Sequence, residues 1–326
     1  MSDEKPTVGG QAVIEGVMMR APGSVATAVR EANGHIAVQV KAVESLGDRY
    51  PIFKAPFIRG VVSLGESLVL GMRSLSYSAQ MAGEDDEEMS DSEVAMTMVF
   101  AFVLAAVLFI AIPTYAVKYF HAITEDPFYL NIFEGCLRLT VFLVYIFSIS
   151  RMEGIYRVFQ YHGAEHKTIH CFEKGEALTV ANVQKCSRFH PRCGTAFLLI
   201  VMIVSIFVFA FLGWPSLVER IVSRVVLLPV IAGISYELIR LAGKHPNGIM
   251  HIFILPGLCL QRLTTNEPAD EMVEVAIESL KAVLAEEDIP AGSGSYINLR
   301  YGMTSQTDDG ELNPAITADT VEDNKC

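Results

Sequence analysis

Charged residues are missing from two long stretches of this chain. Among its 326 residues, neither residues 94–117 nor residues 194–213 contain an Asp, Glu, Lys or Arg. A bilayer crossing needs roughly 20 mostly apolar residues, and a soluble protein rarely omits charge over such a length twice. With 51% hydrophobic residues and a mean hydropathy of +0.37, an ordinary soluble domain is excluded. A cleavable leader is also lacking. The first 20 residues have no apolar core flanked by basic residues, so the first span is expected to act as its own insertion signal. No Gly-Lys-Ser/Thr follows the glycine-rich segment TVGGQAVIEGVMMRAP at 7–22, which excludes a phosphate loop there. No internal repeat is visible, which counts against a transporter built from inverted halves.

Two further windows are long enough to span but carry charge. Residues 131–150 contain Glu134 and Arg138, and residues 221–241 contain Arg224, Glu237 and Arg240. Glu134 and Arg138 are four apart, so a helix places them on one face as an ion pair. Ionisable groups in lipid face a bundle interior or snorkel. The three charges near the ends of 221–241 read as snorkelling.

Basic residues set the orientation. The loop 151–193 holds Arg151, Arg157, Lys167, Lys174, Lys185, Arg188 and Arg192, whereas the loops on the other side hold only Lys118 and Arg220. Loops rich in Lys and Arg stay in the cytoplasm, which predicts that 151–193 and both termini are cytoplasmic. Cys171, Cys186 and Cys193 lie in that loop, where disulfides are rare and metal binding or burial is the better reading. The net charge of −12 is concentrated in residues 84–93 and 266–326, leaving the rest with 16 acids against 22 bases. Acidic tails exclude nucleic-acid binding by those segments. The basic remainder suits a face beside anionic lipid.

The expected fold is a polytopic α-helical membrane protein. About four transmembrane helices are joined by an amphipathic helix and a small cytoplasmic β-unit. The β-unit covers 7–45, with strands at 26–31 and 36–42 turned by Asn33-Gly34. Residues 57–79 read as an amphipathic or interfacial helix, with an apolar stripe through Phe57, Val61, Leu64, Leu68, Met72 and Leu75. Its Gly60, Gly65 and Gly71 permit close helix contact and suit self-association. Residues 83–93 form an acidic linker, and 94–265 a membrane domain in which the short apolar segment 248–260 is re-entrant or interfacial. A cytoplasmic helix is expected over 270–288. The tail 291–326, with little to bury, is expected to be disordered.

Chemistry concentrates in the loop 151–193. In YHGAEHKTIHCFE at 161–173, His162, His166 and His170 recur every four residues and form one helical stripe. Glu165 and Glu173 fall on or beside it. Imidazoles and carboxylates so spaced converge on one divalent metal. His162-Gly-Ala-Glu165-His166 also matches the HxxEH pattern of inverted zinc peptidases, in which the histidines bind zinc and the glutamate activates water. Gly163 lowers helix propensity inside that motif. A second cluster, CSRFHPRCGT, brings Cys186, His190 and Cys193 to the start of the third span. Bland readings compete: interfacial histidines, inert buried cysteines, and Arg188 and Arg192 on lipid phosphate. His35, His121, His245 and His251 read as incidental.

Five motifs carry a resemblance. They are GGQAVIEGVMMRAP from Gly9, PFIRGVVSLGESLVLGMRSL at 56–75, HGAEHK at 162–167, HPRCGTAF at 190–197 and PGLCLQRLTTNEP at 256–268. With these the chain resembles the YqhQ-like membrane proteins of bacteria, classed as a domain of unknown function (number 1385). Taken from its motifs, the resemblance spans residue 7 to about residue 285. The acidic linker and the tail look peculiar to this chain. The resemblance implies a bacterial, multi-pass cytoplasmic-membrane protein and a metal-dependent enzyme. It marks His162, Glu165, His166, His190 and Cys193 as the positions to test, while Cys171 and Cys186 fall outside its motifs. The expected centre is a divalent metal, zinc first, held by His162, His166, His190 and Cys193 with Glu165 catalytic. A hydrolase acting on a lipid headgroup or membrane-near peptide is the leading expectation. The alternative is a scaffold or channel-like homo-oligomer with a structural metal. The bilayer is the expected partner, and nucleic acid is not.

Overall fold

The computed structural model describes residues 6–83, 91–214, 216–244, 251–285, 296–301 and 316–321. Most of the acidic linker, residues 245–250 with His245, and the rest of the tail lie outside the described residues.

Four strands open the chain: β1 (Gly9–Val13), β2 (Gly16–Ala21), β3 (Ser24–Arg30) and β4 (Ile36–Ala42). They pair in sequence as an antiparallel meander. The expected Asn33-Gly34 turn joins β3 to β4, with Gly34 at φ 87° and Asn33 Oδ1 accepting from the His35 amide at 2.8 Å. Two segments of the tail depart from the expected disorder. β5 (Tyr296–Tyr301) pairs with β4 and β6 (Ile316–Val321) pairs with β5, extending the sheet to six strands.

The sheet is covered on both faces, which explains why β2 and β3 are apolar nearly throughout. Strand residues alternate between faces. Val17, Met19, Ala26 and Ala28 join a core with the helices α6 (Glu153–Lys174) and α11 (Asp270–Leu284), among them Tyr161, Met272 and Leu280. Val13, Met18 and Val25 face the other way and pack with Leu70 of α2 (Ile58–Ala82). The buried Thr27 donates to Ser74 of α2 at 3.0 Å.

Short elements link these parts. Ser45 caps α1 (Leu46–Arg49), which is followed by a 3-10 turn at Pro51–Lys54. Glu66 of α2 accepts from Arg20 at 2.8 Å and from the Leu46 amide at 2.7 Å. Arg59 of α2 makes a two-pronged pair with Glu237, at 2.8 and 2.6 Å. Gly60 and Gly71 are close-approach sites within the chain, against Tyr236 and Gln11, whereas Gly65 faces open space. The charges that argue against insertion of α2 therefore anchor it between the sheet and the bundle.

Among the described residues, three helices are long and apolar enough to cross a membrane, and the chain is a membrane protein on that basis. α3 (Asp91–Ala106) runs through a π-turn (Val107–Ala111) into α4 (Ile112–Phe120). Only 6% of its apolar window within Val99–Phe120 is buried inside the protein, an exposure that suits a membrane-facing helix. α5 (Pro127–Ile149) starts on an Asp126 cap with Pro127 in the first turn. α7 (Val180–Gln184) packs between α6 and α11. α9 (Leu217–Lys244) supplies the third long span, Val218–Ala242. The fourth expected span is α8 (Gly194–Ala210), a shorter apolar helix of 17 residues. The segment expected to be re-entrant is α10 (His251–Thr264), packed on α8 with Gly257 flush against Ala196.

Glu15, at the β1–β2 turn, locks the sheet to α6. Arg157 grips it with Nε at 2.7 Å and a terminal nitrogen at 2.5 Å, and the Tyr161 hydroxyl donates at 3.2 Å. The Arg157 hydrogen bonds hold the Glu15 carboxyl below its ordinary range despite partial burial. A depressed folded-state pKa stabilises the fold above the ordinary carboxylate range, and the contribution fades as pH falls through the lowered value. Glu15→Gln should therefore unfold at a lower temperature than wild type at neutral pH, by roughly 1 kcal/mol. The gap should close in acid. A gap independent of pH, read by thermal unfolding in detergent, would remove the charge pair from this account.

Candidate metal centre

The residues 162–173 are helical throughout, Gly163 included. The helix continues there because tertiary packing overrides propensity. A Cβ at position 163 would collide with the Asn266 carbonyl, and the Asn266 amide bonds to the Phe159 carbonyl at 2.8 Å. Glycine lets the chain after α10 lie directly along α6.

That close approach orients the first histidine. His162 Nδ1 lies 2.7 Å from the Thr264 carbonyl. A carbonyl only accepts, so Nδ1 carries the proton and Nε2 presents a lone pair. His162 Nε2 is 3.2 Å from Cys193 Sγ. His166 repeats the scheme: its Nδ1 donates to the Arg188 carbonyl at 2.6 Å, and its buried Nε2 has no hydrogen-bond partner among the described residues. Metal-binding histidines commonly tie their second nitrogen to a carbonyl in this way, fixing tautomer and aim.

Cys193 comes from another element, as N-cap of α8. One donor atom each from His162, His166 and Cys193 lies within 4.8 Å of the others, and all three residues are buried. Glu165 sits on the same helix, 4% exposed, with Oε2 unpartnered among the described residues. Gly10 of β1 lies over its side chain, where a Cβ would come within 3.0 Å.

Burial sets the protonation states. Desolvation raises the Glu165 carboxyl to about 8, against the attraction of His162. It lowers His166, leaving a neutral imidazole. Burial pushes the Cys193 thiol up, but the neighbouring His166 and Thr195 outweigh it and the net shift is downward. Thr195 Oγ1 is 3.1 Å from its sulfur. Neutral imidazole and thiolate are the forms a metal requires.

The four expected ligands divide. His162, His166 and Cys193 converge, whereas His190 groups with His170 and Glu173. His190 Nε2 stands 3.5 Å from Glu173, which also pairs with Arg192. Its ring centroid is 4.8 Å from that of His170 and 5.6 Å from that of His166. Burial, with the neighbouring His170 and Arg192, pushes His190 down to about 3. Gln261 of α10 fixes its backbone, with the side-chain amide exchanging two 2.8 Å bonds with the His190 main chain. A third group joins Cys171, Glu176 and Cys186. Burial pushes the Cys171 thiol up to about 11.

Several positioning residues were not singled out from the sequence: Gly10, Gln261, Thr264 and Asn266. All lie inside the motifs GGQAVIEG and PGLCLQRLTTNEP, so those strings held the signal.

Together these features define a class: an integral membrane helix bundle bearing a sandwiched antiparallel sheet, with a buried group of metal-competent side chains where the two meet. The family described as "Protein of unknown function (DUF1385)" matches residues 55–286, and the chain belongs to that family. It is also 37% identical over 302 residues to "Uncharacterized protein YqhQ" of Bacillus subtilis (strain 168), covering 86% of this chain and 93% of that protein. No solved structure matches it significantly.

Gly163→Ala tests the close approach that aims His162. Overpacking of this kind costs roughly 1–3 kcal/mol. The variant should unfold at a lower temperature than wild type, and Ala164→Gly should not reproduce a clash. An unchanged midpoint for Gly163→Ala would mean that α6 and the 264–266 segment are not locked together.

Proposed function

We propose that this protein is a metal-dependent hydrolase of the bacterial cytoplasmic membrane, with both termini and the sheet in the cytoplasm. A lipid headgroup or membrane-near peptide is its substrate class. The observation that carries the reading is the convergence of His162, His166 and Cys193 beside an unpartnered Glu165. Two nitrogens and a sulfur suit zinc, and three protein donors leave one tetrahedral position for water, as in catalytic sites. Zinc bound there would supply a water of lowered pKa and a Lewis acid. Glu165 would serve as the general base toward that water. His166 stays neutral, and both rings are aimed through their carbonyl bonds. His190 and Glu173 lie alongside, 3.5 Å apart.

Four crossings are part of this reading. α6 and α11 pack on the same sheet, so an even number of crossings must separate them. α9 is one, and α8 is the apolar helix available for the other. At 1.5 Å per residue its 17 residues rise about 26 Å, near the thickness of a bilayer core. The basic loop 151–193 supports the cytoplasmic side.

Burial favours a second reading. His166 is 1% and Glu165 4% exposed, and structural zinc sites are closed, with four protein ligands. Glu165 would then be the fourth ligand, and the metal would clip the sheet to the bundle in a scaffold or channel-like oligomer.

Metal analysis of purified wild type, His166→Ala, Cys193→Ala and Glu165→Gln separates these outcomes. About one zinc per chain is expected in wild type, with loss in His166→Ala and Cys193→Ala. If Glu165 is the base, Glu165→Gln keeps the metal and loses turnover by at least about 100-fold. Loss of metal and of thermal stability in Glu165→Gln would establish the closed site instead. Absence of any stoichiometric metal from folded wild type would refute both.

A further inference from the structure

A second polar cluster lies within the spans, toward the N-terminal ends of α5 and α9 and away from the metal centre. Glu134 of α5 is 1% exposed and is faced by three arginines. Arg224 of α9 grips both carboxylate oxygens, one at 2.6 Å. Arg138, one turn along α5, donates at 3.0 Å, and Thr114 of α4 donates at 3.0 Å. Arg138 Nε also donates to the Phe109 carbonyl at 2.9 Å. That carbonyl lacks its helical donor because Pro113, four residues on, has no N–H.

Charge does not balance here. Guanidinium groups stay protonated at any ordinary pH, so three positive charges surround one negative. Arg224 and Arg138 satisfy Glu134 between them. Arg220 is left 3.9 Å from the nearest carboxylate oxygen, its side chain 11% exposed. Its Nε and one terminal nitrogen are buried without a hydrogen-bond partner among the described residues. The guanidinium carbon sits 4.0 Å from the Trp214 ring centroid, and His121 packs edge-on against that ring. Nearby acids are engaged elsewhere. Glu219 accepts from the Ser216 amide and hydroxyl, and Asp126 accepts from the Phe128 amide. A buried guanidinium with open donors is costly unless something answers it.

We propose that Arg220, backed by Arg224 and Arg138, binds an oxyanion of the phosphate class, presented by a phospholipid headgroup or as free phosphate. The planar fork of Arg220 matches such an oxyanion and adds charge-assisted hydrogen bonds. Its level fits as well. Arg220 lies two residues inside the apolar window that begins at Val218, and Trp214 is the aromatic type found at headgroup depth. The site is independent of the metal centre and of the hydrolase reading.

Thermal unfolding of the full chain in detergent tests this. Inorganic phosphate is titrated at constant ionic strength against chloride. Phosphatidylglycerol and phosphatidylcholine are titrated separately in mixed micelles. A saturable rise in the midpoint is expected with a phosphate-bearing probe. A response to inorganic phosphate assigns the site to the free anion, and a response to phospholipid alone assigns it to the headgroup. Arg220→Gln should weaken half-saturation by about tenfold or more, and Arg220→Lys, which keeps the charge without the fork, should fall between. No saturable response to any probe, or an Arg220→Gln response equal to wild type, would overturn the proposal. Native mass spectrometry of the unmutated protein reads it without a variant: a retained phosphate-bearing adduct is expected, and adduct-free protein contradicts it.

Discussion

Two hydrogen bonds from imidazole Nδ1 atoms to backbone carbonyls organise the junction of this protein. His162 spends its proton on Thr264 and His166 on Arg188. Each bond contributes only about 1 kcal/mol net, so they do not hold the domains together. The apolar core of α6, α11 and the sheet does that. The bonds instead select one tautomer at each ring and turn both remaining nitrogens toward Cys193. Everything nearby keeps those carbonyls in place: Gly163 lets the 264–266 segment approach, Gln261 braces the His190 main chain, and Glu15–Arg157 ties the start of α6 to the first hairpin.

The sheet domain is assembled from three separated parts of the chain. β1 to β4 precede the first span, α6 and α7 lie between α5 and α8, and α11, β5 and β6 follow the last span. Packing them on one sheet constrains which side of the bilayer each connection occupies. The bundle thus carries two buried charged clusters of opposite kind. One gathers neutral and acidic donors that suit a cation. The other gathers excess guanidinium charge that suits an anion.

Much of this was legible in the sequence where the signal is local. The His162–Glu165–His166 stripe follows from helical period, the Asn33-Gly34 hairpin from turn chemistry, and the Glu134–Arg138 pair from its i, i+4 spacing. Long-range determinants were not legible. His190 turns toward Glu173 because Gln261, 71 residues away, holds its backbone. Gly10 covers Glu165 only because β1 packs on α6. Arg224 read as a snorkelling end-of-span charge and Arg220 as a loop charge, since nothing in 218–242 reveals that Glu134 waits on another helix. The tail strands were missed because their few apolar residues have meaning only beside the free edge of β4.

X-ray absorption at the zinc edge of the purified protein addresses the centre most directly. The account predicts a shell with one sulfur at about 2.3 Å and two imidazole nitrogens at about 2.0 Å, completed by a light oxygen scatterer. A shell made of oxygen and nitrogen alone, with no sulfur from Cys193, would contradict it.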